Sequence, residues 1–64
     1  MTDIELKAIG LLPLHDLPNK DGFTFVGVKF DGSEATCHVE LDESGFHEVA
    51  GSANYGELIG WHYL

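Results

Sequence analysis

FTFVGVKFDGSEATCHVELD, Phe23 to Asp42, is the stretch on which the fold turns. FTFVGVKF is aromatic and β-branched, with Asp21-Gly22 before it and Asp31-Gly32-Ser33 after it, the composition of a strand held between two turns. Phe23, Phe25, Gly27 and Lys29 fall on one face; Thr24, Val26, Val28 and Phe30 fall on the other. Both faces are largely apolar, which predicts a central strand covered on both sides. Gly27 in its middle predicts a bulge, or a large side chain lying across the backbone. ATCHVELD then alternates cleanly: Cys37, Val39 and Leu41 face one way, and Thr36, His38, Glu40 and Asp42 the other. That period marks a half-buried antiparallel strand. The short DGS joint makes the two a hairpin. The expected core is Phe25, Val26, Val28, Val39 and Leu41.

Outward from this hairpin, Asp42-Glu43-Ser44-Gly45 reads as a turn leading into FHEVA, Phe46 to Ala50. Phe46 and Val49 fall on opposite faces there, so a bulge fits. GSANYG, Gly51 to Gly56, reads as a loop. LIGWHYL reads as a last strand, with Trp61 placed over Gly27. On the other side, Pro13 and Pro18 forbid a long helix, and Gly10 weakens a shorter one. Ile4 to Ile9 is then a short strand or a single helical turn, and Leu11, Leu12, Leu14 and Leu17 cover one face of the sheet. The expected fold is mainly β: a single domain, residues 1–64, built as a small three- to four-stranded antiparallel meander with an extended or short helical N-terminal segment.

Three lysines, no arginine and eleven carboxylates leave a formal charge of −8. Such a surface repels nucleic acid phosphates and anionic lipid and attracts basic protein surfaces. The expected partner is therefore a protein with a basic surface, with no direct nucleic acid binding and no membrane. Carboxylates also serve plain solubility. One cysteine excludes an internal disulfide and favours a reducing compartment. MTDIELK carries acids where a secretory signal needs positive charge, and no apolar stretch approaches the roughly 20 residues that span a bilayer. A cytoplasmic location is expected.

His15, Cys37, His38, His47 and His62 invite a metal site, yet no close ligand pair of the zinc type occurs. Cys37 and His38 are adjacent on a strand and point to opposite faces. His38, His47 and Glu40 would converge only if Glu40 paired opposite His47. Cys37 sits on the apolar face and reads as a small core residue rather than a nucleophile. His15-Asp16 beside Leu17-Pro18 reads as a turn cap. No nucleophile elbow or phosphate loop occurs. These residues point to a non-enzyme with no cofactor and no metal.

The carboxylates stand out as a set. Glu40 and Asp42 share a face of the second strand, Glu43 follows in the turn, Glu48 lies on the next strand, and Glu34 starts the hairpin. Like charges placed this close cost stability, and Lys29 is the lysine nearest to them. Glu34, Glu40, Asp42, Glu43 and Glu48 are the candidate partner-binding residues. Trp61 and Tyr63 join them as a second anchor, unless the closing run is core.

The order of LLPLHDLPNKDG, Leu11 to Gly22, of GFHEVAG, Gly45 to Gly51, and of LIGWHYL resembles a family of small phage and prophage domains of unknown function. Leu17-Pro18 stands as that family's Leu-Pro, GFHEVAG as its Gly-aromatic step, and Trp61 as the tryptophan of its closing run. The chain has leucine where the family opens with tryptophan, and it lacks the family's Pro-rich tail. The resemblance covers residues 11–64 and implies an accessory protein of a phage or prophage, working in the host cytoplasm. The family has no assigned chemistry. The function expected from charge and resemblance together is non-enzymatic binding, and inhibition, of a host protein through the carboxylate-rich surface, with masking of a nucleic-acid-binding site as one mode. The alternative is a self-associating module, a homodimer formed through a sheet edge or the C-terminal aromatic run.

Overall fold

The computed structural model describes residues 2–64. It is mainly β, four antiparallel strands in one sheet preceded by a short helix. Helix α1 spans Asp3–Ala8, and the strands are β1 (Thr24–Lys29), β2 (Glu34–Leu41), β3 (His47–Gly51) and β4 (Leu58–Tyr63). Single 3-10 turns lie at Leu14–Asp16 and Tyr55–Glu57. Among the described residues no helix is long and apolar enough to cross a membrane.

Local chemistry explains the helix. Thr2 and Glu5 form a capping box, each side chain accepting the other's backbone N–H at 3.2 Å. That satisfies donors a helix start otherwise leaves free. At the far end Gly10 has φ +82°; its N–H donates to Lys7 C=O and the Leu11 N–H to Leu6 C=O. This is the paired hydrogen-bond pattern of a glycine-closed helix, and the apolar contact that accompanies it is Leu6 with Leu11. Gly10 therefore stops α1 rather than weakening it.

The sheet order is β3-β2-β1-β4. The first three strands follow one another through hairpins, and the fourth returns to lie beside the first, the order of a Greek key rather than a strict meander. Residues between β3 and β4 cross the sheet to make that return, burying Ala53 on the way. β1 is thereby flanked on both edges, as its two apolar faces predicted. Gly27 pairs opposite Ala35 and Trp61. A Cβ there would meet the Leu58 methyls at 2.7 and 2.8 Å, so Leu58, not Trp61, lies across it. The register shift falls next door, between Val28 and Lys29, whereas β2 and β3 pair without one.

One face of the sheet holds the main core: Phe25, Cys37, Val39, Leu58 and Trp61, with Leu12, Leu14 and Leu17 laid over it. Leu11 parts from those leucines. It packs with Leu6 and Val28 on the opposite face. Trp61 is 1 % exposed, its indole N–H donates to Pro13 C=O at 2.9 Å, and its ring meets Phe23 and Phe25 edge-on. The closing run is thus core at its centre.

Two expected core residues are not core. Leu41 is 50 % exposed, because β1 pairs with β2 only as far as His38, and Leu41 lies beyond its end. Val26 is half-buried: it sits between Thr36 and His62, beyond the patch that α1 covers. Phe30 and Phe46 are exposed, each in a turn just outside a strand.

Candidate functional site: an acidic hairpin and an open edge

The β2–β3 register fixes the geometry of the carboxylates. Glu40 stands directly opposite Glu48, His38 opposite Ala50 and Leu41 opposite His47. Directly opposed residues share a face, so two carboxylates sit side by side on the surface away from the core. His38 Nε2 approaches Glu40 Oε2 to 3.2 Å. Glu43 is exposed in the tight turn that follows. No lysine forms an ion pair with any carboxylate among the described residues; the acid partners are histidines.

Other expected members of the set lie elsewhere. Asp42 belongs to the turn itself: its Oδ1 accepts the Ser44 and Phe46 N–H groups at 2.8 and 2.9 Å. Glu34 is at the opposite end of β2, about 20 Å along the strand from Glu40. There its carboxylate meets His62 Nε2 at 2.7 Å. That bond, with a second to Tyr63 C=O, raises the His62 pKa above its ordinary value against a small opposing effect of burial. Trp61 is buried and leaves the set of surface residues. Tyr63 is 65 % exposed, but on the core face at the β4 edge, away from the hairpin. The structure brings together Glu40 and Glu48, with Glu43 exposed in the adjoining turn.

The histidines divide in the same way. His47, opposite Leu41, lies on the face away from His38 and Glu40, so that trio does not form, and no group of three potential ligands converges among the described residues. His15 bridges two elements, with Nε2 2.8 Å from Asp3 Oδ2 on α1 and Nδ1 3.2 Å from Asp16 Oδ1. The Asp3 bond is the main cause of its raised pKa. Cys37 is buried, its thiol donating weakly to the Ala35 and Ala53 carbonyls.

A groove of about 590 Å³ was not anticipated from the sequence. Leu14, Leu17, Val39 and Val49 form its apolar floor, and His47 and Tyr55 stand at its sides. It opens beside β3 on the core face of the sheet, and Glu48 borders it at the strand edge. Its sequence trace is the leucine spacing around Pro13, which supplies Leu14 and Leu17 to the floor.

Compared with known proteins, the chain matches no family model, no curated protein and no solved structure. The hairpin and the groove are therefore interpreted from their own geometry.

Proposed function

We propose that this chain is a non-enzymatic binding module whose β2–β3 hairpin engages a basic surface of a protein partner. The observation that carries this reading is the pairing of Glu40 directly opposite Glu48, with Glu43 at the adjoining turn and no lysine to offset them. A directly opposed like-charge pair is destabilising, by a few tenths to about 1 kcal/mol. A cation from outside relieves that repulsion and turns it into affinity and a faster encounter. Inhibition follows where the covered surface is one the partner uses for nucleic acid. The resemblance to phage domains directs the search for that partner to bacterial host proteins.

The test is affinity capture on the immobilised chain at low and high salt, followed by identification of the captured proteins. A variant carrying Glu40→Gln, Glu43→Gln and Glu48→Gln should lose the salt-sensitive set. A control carrying Glu5→Gln and Glu57→Gln, which leaves the hairpin untouched, should retain it. Equal capture by both variants would move the interface off the hairpin.

A further inference from the structure

The two edges of the sheet end differently. On β4, Leu12 and Trp61 exchange backbone hydrogen bonds of 2.7 and 3.0 Å, so the chain itself covers the middle of that edge. On β3 the alternation of an antiparallel ladder decides which groups are left over. Asp42 N–H donates to Phe46 C=O, and Ser52 N–H donates to Thr36 C=O. With the observed register, Glu48 and Ala50 then turn their backbone groups inward to β2, and His47, Val49 and Gly51 turn theirs outward. Among the described residues nothing else takes those outward groups. An open row of donors and acceptors of this kind is a template for another strand.

The surroundings of that row differ between the two sides of the sheet. On one side lies the groove, with Leu14, Leu17 and Val49 as its apolar floor and His47, Asn54 and Tyr55 among its polar walls. On the other lie Glu48 and, beside it, Glu40. A residue paired opposite Val49 points into the groove, and a residue paired opposite Glu48 points over the carboxylates. We infer that β3 accepts an extended, basic segment of the partner as a fifth strand, with alternate apolar side chains in the groove and lysines or arginines against Glu48 and Glu40. The inference rests on the basic-partner reading above and specifies its geometry. Charge selects this occupant over a second copy of the chain, which would bring −8 against −8.

The probe is a short labelled peptide, blocked at both ends, that alternates lysine with valine. Its binding should be read by fluorescence anisotropy, with amide resonances of the protein followed in parallel. The His47, Val49 and Gly51 amides should shift and gain protection from exchange. Val49→Pro removes one outward donor and no inward one, a position an edge strand tolerates. It should weaken the peptide at least about tenfold while the rest of the amide spectrum is kept. A peptide N-methylated at alternate residues should lose as much, and it carries the test if Val49→Pro fails to fold. Binding lost in Glu40→Gln/Glu48→Gln but indifferent to both backbone changes would overturn the added strand and leave the basic-surface reading standing. Absence of any salt-sensitive binding would sink both. A peptide-free dimer in sedimentation, abolished by Val49→Pro, would overturn the inference by making a second copy the occupant.

Discussion

The β1–β4 side of this sheet and the β2–β3 side are built from the same kind of strand but finished differently. Around β4, α1 covers Val28, Leu12 bridges the edge at Trp61, and the Trp61 indole is hydrogen-bonded inside the core. Around β3, the edge is unpaired, Leu41 is half-exposed, and two glutamates face each other. The described N-terminal residues bridge to β4 and leave the β3 edge unpaired. What it leaves open is where a partner can add contacts without displacing any. Stability should therefore concentrate at Trp61, and tolerance to change at the hairpin.

The largest test of that contrast is Trp61→Ala. It empties a fully buried site and should cost about 3–5 kcal/mol, close to all that so small a core supplies. A urea midpoint that stays put would show that the tryptophan is not the centre of the closed side. Next comes Gly51→Ala, at the end of β3. Gly51 has φ +114°, and an added Cβ would lie 2.9 Å from the Thr36 carbonyl oxygen, which is backbone and cannot swing aside. A loss of roughly 1–3 kcal/mol is expected, and a neutral result would show that β3 can shift against β2.

Along β2 the same contrast appears within one strand. Val39 is 3 % exposed and Leu41 is 50 % exposed. Val39→Ala should therefore be clearly destabilising, whereas Leu41→Ala should stay within about 0.5 kcal/mol. The reverse order in denaturant curves would mean that this face is covered at Leu41 and not at Val39. On the open side, Glu48→Gln should raise stability slightly, by a few tenths to about 1 kcal/mol, as repulsion with Glu40 is relieved. A fall instead would mean that the pair is held by groups the register does not reveal.

The smallest effect is the titration of His62. Because its pKa is raised in the folded chain, its bond to Glu34 adds stability below the ordinary imidazole value, and that contribution fades as pH rises through the raised one. In NMR titrations Glu34→Gln should lower the His62 midpoint. The stability gap between the two proteins should be largest below the ordinary imidazole value and shrink as pH rises through the raised one. A His62 midpoint unmoved by the substitution would assign the shift to the Tyr63 carbonyl.

Local chemistry in the sequence determined a good deal here. The β1 and β2 strands, their hairpin turn, the Cys37 and Val39 face, and a final strand through Trp61 follow from period-2 alternation and turn residues, which act over a few positions. Gly10 is legible too, because a glycine just past a short helix closes it. Only the tertiary structure decided the rest, because the rest depends on pairings between residues distant in the chain. Nothing local says that β4 returns to β1, that β1 ends before Leu41, or that Leu11 and Leu12 go to opposite faces. The acidic set shows the same division. Its charge is written in the composition and the turn at Asp42 in its residues, but only the strand pairing put Glu40 against Glu48, brought Glu34 to His62 and left β3 without a neighbour.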